Sequence, residues 1–352
     1  MKKPKENSKD KPLRILAVKL RAIGDTVIWT SALSALREAH PTAEIHALTF
    51  SSNEAVLRGN RDIDALHLVK SRSRFDLALK FLELRRFRYD WMLVFNSYAA
   101  VSRWHWLVGA RTKAIYHHGR IAVPFGCRPI PHAGAVEDAI ARDGRVLQAM
   151  GIESKRPPTQ IVIAPSESEA AEGIMREAIK AGGGDPEKPR YVFLPGASHP
   201  LRRFPREKLL RLAAEIAAEG TYQPVVLADR PLSQEWDLAK HCAESRLPLI
   251  DHLGLREFIT CMSRAERAVA NDSGPAHIAV ALGLRTVFLF GPGSAGEWHA
   301  YDRERHPMKR LVVPCRTGGP QDNELFRTCG FANCAHQQCM QDLVVTVDDL
   351  LR

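Results

Sequence analysis

The sequence predicts an α/β protein of two domains with mostly parallel sheets. Short β-prone apolar runs alternate with helical stretches along the chain, as in sheets that helices cover on both faces. The alternation occurs twice, and each half opens with a glycine-containing loop between a strand and a helix. A chain of 352 residues with 45% hydrophobic content can give each half its own core. We therefore expect two Rossmann-like domains facing a cleft.

The first half contains three predicted strands and two predicted helices. A break at residues 21–25 separates its first strand from its first helix, and Gly151 ends its last helix. The predicted strands are Arg14–Leu20, Glu44–Phe50 and Trp91–Asn96, and the predicted helices are Thr26–Ala39 and Val136–Met150.

The second half repeats this pattern with four strands and an amphipathic helix over Arg206–Ala218. The predicted strands are Tyr191–Leu194, Val225–Ala228, Arg267–Ala270 and Thr286–Phe290. Both Pro157-Pro158 and the polar stretch 180–188 are typical of connecting segments. We assign residues 13–180 to the first domain, residues 181–352 to the second, and residues 1–12 to a disordered basic tail.

Composition limits the possible partners and the compartment. A formal charge of +10 would attract nucleic acid, anionic lipid or phosphorylated substrates without choosing among them. No RNA-reading motif is present, so nucleic acid is not an expected partner. No apolar run approaches the roughly 20 residues that span a bilayer, and the polar N-terminus resembles neither a signal peptide nor an anchor. Seven cysteines, an odd number in a large chain, fit a reducing cytoplasm.

The most informative segment runs from Asn271 to Gly283, between two strand-like stretches. Asp272 or Ser273 can cap a helix that Gly283 ends, and the backbone N–H groups at such a helix start can bind a diphosphate. A purely structural helix start is the alternative, but a position late in the second α/β half favours binding. The predicted diphosphate-binding residues here are Asp272, Ser273, Gly274, Pro275 and His277.

A second segment, from Pro195 to Pro205, follows a predicted strand. Small residues such as Gly196 and Ser198 let the backbone approach a ligand, and Arg202 offers a fixed cation for phosphate oxygens. In an enzyme without a metal, such cations stabilise a departing diphosphate. A solvated basic turn before a helix is the structural alternative.

The third segment runs from Lys19 to Thr26. Asp25, which follows Gly24 at a predicted helix start, is either a helix cap or a general base. Glycosyl transfer with inversion needs a carboxylate that accepts the proton of the attacking hydroxyl, and a diphosphate site across a cleft makes that role plausible for Asp25. We place Lys19 and Gly24 with the donor-binding residues.

Together, the three segments resemble the lipopolysaccharide heptosyltransferases of glycosyltransferase family 9. The resemblance covers residues from about Arg14 to Leu351. It rests on three ordered motifs: Lys19 to Asp25, Gly196-Ala197-Ser198 followed by Arg202-Arg203-Phe204-Pro205, and Asp272 to His277 leading into Leu289-Phe290-Gly291-Pro292.

This resemblance implies a GT-B fold and inverting transfer of heptose from ADP-heptose to the inner core of lipopolysaccharide. It makes residues 13–180 the acceptor-binding domain and residues 181–352 the nucleotide-sugar-binding domain. It assigns Asp25 as the catalytic carboxylate, Arg202 to the donor phosphates and Asp272–His277 to the diphosphate loop. It also implies an anionic glycolipid acceptor, no cofactor beyond the donor substrate, no metal, and a cytoplasmic protein that contacts the inner face of the membrane. The chain departs from the family where Arg202-Arg203-Phe204-Pro205 replaces Lys-x-Trp-Pro, and where the usual proline near Thr30-Ser31-Ala32 is absent.

Other interpretations stay open at this stage. Another nucleotide sugar, a protein acceptor, or a non-catalytic nucleotide- or carbohydrate-binding module would also fit the pattern. The glycine run 291–296 matches G-x-G-x-x-G, but it predicts a loop bordering the donor pocket because no acidic residue follows to hold a ribose. Glu235 and Glu257 are candidates to hold the donor ribose.

Two clusters remain ambiguous. Four cysteines at the C-terminal end do not have the spacing of common zinc sites, so buried thiols are the favoured interpretation. They are Cys315, Cys329, Cys334 and Cys339, with His336 nearby. Basic and aromatic residues in the first half form a candidate acceptor surface. They are Arg103, Trp104, His105, Trp106, Arg111, Lys113, His117, His118, Arg120, Arg128 and His132.

Overall fold

A computed structural model describes residues 11–96, 99–116, 125–130, 137–153, 155–311 and 338–352. Their contacts divide the chain into two compact units. As far as these residues are described, the first unit holds 11–21, 29–130 and 140–157, and the second holds 22–28, 137–139 and 158–352. The expected basic tail lies, except for its last two residues, outside the described residues.

The first unit is built on a five-stranded parallel sheet with the strand order β3-β2-β1-β4-β5. Its strands are β1 (Arg14–Val18), β2 (Glu44–Phe50), β3 (Ala65–Val69), β4 (Trp91–Val94) and β5 (Thr112–Ile115). The helices along this part of the chain are α1 (Ile23–Ala39), α2 (Glu54–Leu57), α3 (Arg74–Leu84), α4 (Ala99–Trp104) and α5 (Ala139–Gln148). Short β-branched and aliphatic runs form the buried strands, as predicted.

The second unit contains a six-stranded parallel sheet with the order β11-β10-β9-β6-β7-β8. Its strands are β6 (Arg190–Leu194), β7 (Gln223–Leu227), β8 (Leu249–Ile250), β9 (Arg267–Asn271), β10 (Arg285–Phe290) and β11 (Met308–Arg310). Its helices are α6 (Pro165–Ala181), α7 (Arg206–Glu219), α8 (Arg230–Glu235), α9 (Leu238–Glu244), α10 (Leu255–Met262), α11 (Gly274–Ala281), α12 (Ala295–Trp298), α13 (Gln338–Gln341) and α14 (Val347–Leu351). The predicted α/β class with two parallel sheets is confirmed.

The boundary between the units lies between Pro157 and Pro158, not at residue 180 as expected. The reason is that α6 is tied to the second sheet by buried and half-buried ion pairs. Glu172 of α6 accepts hydrogen bonds from Arg190 at 2.6 Å and from Arg264 at 2.8 Å. Chiefly through the bond from Arg190, these arginines lower the pKa of Glu172 to about 2. The first of the two predicted connecting segments is therefore the boundary.

Each sheet has its own apolar core. In the first unit, α3, α4 and the turn at His105–Val108 pack against the faces of β1, β2 and β4. In the second, α7 packs against β6, β7 and β9 together with residues of the C-terminal segment 340–351. Among the described helices, none is both long enough and apolar enough to cross a membrane.

Candidate functional site

The predicted diphosphate loop lies at the carboxyl end of β9, where α11 begins. Ser273 occupies the N-cap position, but its hydroxyl donates to the Asn271 carbonyl at 3.2 Å and makes no capping hydrogen bond. Pro275 lies in the first turn, and Gly283, in the left-handed region with φ of 87°, follows the end of the helix. The helix, its stop and Ser273 at the N-cap position are as predicted, but the Ser273 side chain caps no backbone N–H group. The start of α11 retains the geometry that suits an anion.

Asn271 holds the second predicted segment in place. Its side-chain amide donates to the Pro195 carbonyl at 2.7 Å, and its side-chain oxygen accepts from the Phe204 N–H at 2.9 Å. Both ends of the loop between β6 and α7 are thus fixed by one buried side chain of β9. No role was predicted for Asn271, although a polar residue that ends a buried strand is a signal for one.

Arg202 and Asp272 come together in the second unit. A guanidinium nitrogen of Arg202 lies 3.6 Å from a carboxylate oxygen of Asp272, whose side chain is only 3% exposed. A methyl group at Gly293 would lie 2.1 Å from the same carboxylate oxygen, so a larger residue there would have to displace the buried Asp272 side chain. The structure therefore joins the predicted phosphate cation, the diphosphate loop and the glycine run after β10.

The turn that carries Asp25 packs against the start of α11. By its contacts, segment 22–28 belongs to the second unit. A Cβ atom on Gly24 would lie 2.8 Å from Cδ2 of His277 and 3.3 Å from the Cα of Gly274. Asp25 lies in the first turn of α1 and is 8% exposed. Two of the predicted segments, far apart in sequence, are therefore neighbours, and the absence of a side chain at Gly24 permits their approach.

His277 is held as a neutral imidazole. Its Nδ1 lies 2.8 Å from the hydroxyl of Tyr301, and burial lowers the pKa of His277 to about 4 against the opposing effect of the Asp25 charge. A neutral ring donates a hydrogen bond from one nitrogen and accepts one at the other, and it adds no charge beside Asp25. Tyr301 was missed by the sequence analysis, because nothing near it in the sequence indicates the contact.

Lys19 is part of a buried network in the first unit. Its ammonium lies 2.6 and 2.8 Å from the two carboxylate oxygens of Asp143 on α5, and both side chains are 1% exposed. The backbone after β1 is held in the same way. Thr49 donates to the Lys19 carbonyl at 2.8 Å, Asn96 accepts from the Leu20 N–H at 2.8 Å, and Asn53 donates to the Arg21 carbonyl at 2.9 Å. This geometry favours a positioning role for Lys19 over the predicted contact with phosphate.

Gly196 and Ser198 lie on the loop that Asn271 holds. Among the described residues, no heavy atom would lie within 4 Å of a methyl group on Gly196, and Ser198 is exposed. The packing of the protein therefore does not itself require glycine at residue 196. An approach of a ligand to the backbone remains the predicted reason for it.

The two glutamates considered for the donor ribose have other partners. Glu235 accepts two 2.8 Å bonds from Arg203, which also donates to the Ala197 carbonyl at 3.1 Å. Glu257 accepts from the Gly254 N–H at 3.0 Å and thereby caps α10. Glu235, with its side chain 55% exposed, is the one of the two that lies beside the Gly196 loop.

The glycine run after β10 differs from its predicted structure. The glycine run opens a single helical turn, α12, where only a loop was expected, because the Ser294 side chain caps it by accepting from the Glu297 N–H.

Within the described part of the chain, no group of three or more potential ligands could hold a metal ion. The cysteine cluster lies outside the described residues except for buried Cys339. His117, His118, Arg120 and His132 are also outside them, whereas His105 is buried beside Cys127.

Comparison with known proteins identifies relatives of this arrangement. The model of glycosyltransferase family 9 (heptosyltransferase) matches residues 80–316, which include every predicted donor-site residue except Lys19 and Gly24. Lipopolysaccharide heptosyltransferase 3 of Escherichia coli is 25% identical over 290 residues, which are 77% of this chain and 82% of the relative.

Two solved structures share the fold. A glycosyl transferase family 9 protein from Veillonella parvula DSM 2008 superposes with a TM-score of 0.76 at 19% identity, covering 98% of both chains. The E. coli heptosyltransferase WaaC with ADP-2-deoxy-2-fluoro heptose gives a TM-score of 0.65 at 15% identity, covering 85% of this chain and 94% of the other. These likenesses confirm the expected GT-B fold class.

Proposed function

Because the chain belongs to glycosyltransferase family 9, the heptosyltransferase family, we propose that it transfers heptose from ADP-heptose to the inner core of lipopolysaccharide with inversion. The observation that carries the proposal is the meeting of Gly24, beside Asp25, with Gly274 and His277 at the start of α11. A carboxylate and an anion-binding helix start are the two elements that such a reaction requires. A relative of the same fold holds an ADP-heptose analogue, which supports the donor.

In this proposal Asp25 accepts the proton of the acceptor hydroxyl while that oxygen attacks the anomeric carbon. The bond from the anomeric carbon to the diphosphate oxygen breaks, and ADP leaves with the electron pair. The N–H groups at the start of α11 and the guanidinium of Arg202 stabilise the charge that develops on the diphosphate. Asp272, at 3.6 Å from Arg202, orients that guanidinium. The scheme uses no divalent metal.

Transfer from ADP-heptose to a heptose-deficient, de-acylated glycolipid core tests the proposal, with EDTA present. We expect transfer by the native chain and a fall of about 10²- to 10⁴-fold in kcat for Asp25→Asn, with ADP affinity retained, because a general base contributes about that factor. Asp76→Asn is the matched control, since Asp76 lies in the first turn of α3 as Asp25 does in α1. It should leave transfer unchanged.

The results separate the alternatives. Equal losses of kcat in Asp25→Asn and Asp76→Asn would show that the Asp25 carboxylate only stabilises a helix start, an effect worth about 0.3–1 kcal/mol. Transfer from a different nucleotide sugar, or to a protein, would replace the proposed substrates. ADP binding without transfer to any acceptor would indicate a non-catalytic binding module, and loss of activity in EDTA would contradict the metal-free scheme.

A further inference from the structure

One face of α3 exposes large apolar side chains to solvent. Phe75, Leu79 and Leu82 are 70%, 51% and 48% exposed. Their spacing of four and three residues places them on the same side of the helix. Leu77, Phe81 and Leu84 form the opposite, buried side. We call Phe75, Leu79 and Leu82 the α3 stripe; adjoining exposed apolar side chains of this kind mark an interaction site.

Positive charge surrounds the stripe. Residues 70–88 contain seven basic and two acidic residues, and the exposed arginines lie at the start of α3 and just after its end. Both acidic side chains already have partners: Glu83 accepts from Lys80 at 2.6 Å, and Asp76 accepts from the Ser71 hydroxyl. The charge around the stripe is therefore strongly positive.

A tryptophan lies on the turn that packs beside α3. Trp106, in the turn at His105–Val108, is 54% exposed, and its indole N–H donates to the Arg103 carbonyl at 3.1 Å. The side chain of Arg85 lies next to Gly109, immediately after this turn. Exposed tryptophan near basic residues is typical of surfaces that lie at the boundary between lipid headgroups and water.

We propose that the α3 stripe and its basic flanks dock the first unit onto an anionic lipid surface. The apolar side chains would enter the boundary of headgroups and acyl chains while the arginines bind the headgroup phosphates. A second copy of the chain is the less suitable occupant, because a symmetric pairing of two stripes would bring two sets of arginines together. The inference rests on the proposed function, since a membrane glycolipid acceptor gives the enzyme a reason to bind this surface.

The test measures sedimentation of the full chain with vesicles. One set contains one part phosphatidylglycerol to three parts phosphatidylethanolamine, and the other contains phosphatidylcholine alone. We expect binding to the anionic set, weakening as salt rises, and at least about a tenfold loss for the triple variant Phe75→Ser/Leu79→Ser/Leu82→Ser. Arg85→Gln/Arg86→Gln should lose about tenfold or more, because each surface cation contributes about a factor of five.

Val344→Ser is the matched control, since Val344 is 73% exposed in the second unit and should not affect vesicle binding. Thermal melts and ADP affinity check that each variant is folded, and the arginine variant tests the docking surface independently of the apolar one.

Equal vesicle binding by the triple variant and the native chain, or no binding by the native chain, would overturn the proposal. So would a native dimer that the triple variant abolishes. Vesicle binding by a chain that fails to transfer heptose would leave this surface standing and remove the proposed function.

Discussion

The buried pair of Lys19 and Asp143 gives a prediction about stability. Asp143→Ala removes the carboxylate that lies 2.6 and 2.8 Å from the ammonium and leaves that ammonium in an environment where the lysine is 1% exposed. Removing one partner of a buried pair costs about 3–5 kcal/mol, because the remaining charge keeps its desolvation penalty without the attraction. We expect the free energy of unfolding of the first unit to fall by that amount.

The assay is urea unfolding followed by tryptophan fluorescence. Four of the six tryptophans, at positions 29, 91, 104 and 106, belong to the first unit, so the signal reports mainly on that unit. Arg111→Gln is the control, since Arg111 is 83% exposed in its 3.0 Å pair with Asp90 and should change stability by at most about 1 kcal/mol.

A double variant separates charge from packing. Lys19→Met/Asp143→Leu removes both charges and should be more stable than Asp143→Ala, because neither ion is then buried without its partner. A loss below about 1 kcal/mol for Asp143→Ala, comparable with that of an exposed pair, would refute the reasoning. It would mean that water or another group compensates the ammonium.

Two further predictions follow from the second unit. Gly293→Ala should destabilise the protein and weaken ADP binding measured by calorimetry, because the methyl group would lie 2.1 Å from a carboxylate oxygen of Asp272. Gly173→Ala is the control, since the side chain would have open space in α6, and it should have neither effect. Burial lowers the pKa of His277 and of His306 to about 4 from 6.5, so below pH 6.5 the unfolded chain binds protons that the folded chain does not. Urea midpoints should therefore be flat above about pH 7 and fall toward about pH 5, with a shallower fall for His306→Gln; a flat native profile would contradict this.

Seven of the eleven described strands could be predicted from the sequence because they are short, mostly apolar runs. β2 was predicted with its observed bounds, and β6, β9 and β10 to within one residue at each end. β3 and β5 were missed, because His67 interrupts the apolar run of β3 and the four-residue β5 begins with Thr112 and Lys113. β8 and β11 have only two and three residues, which is too short for a pattern to register.

The candidate site was only partly predictable. Motifs gave Asp25, Arg202 and Asp272, because each of those residue types has a chemical role at the end of a strand or the start of a helix. Contacts between distant segments, such as that between Gly24 and His277, have no local signal. The partner of Lys19 did have one: Asp143 lies on the buried side of α5, where the pattern otherwise places apolar residues.

In both units, buried polar side chains hold loops at the carboxyl ends of the strands. Thr49 and Asn96 fix the backbone after β1, and Asn271 fixes the loop after β6. A buried amide or hydroxyl is stable only when its hydrogen bonds are made, so each of these loops has one low-energy position. Ligands of open parallel sheets bind at these strand ends. The loops are therefore ordered by the protein before a substrate arrives, and binding does not need to immobilise them.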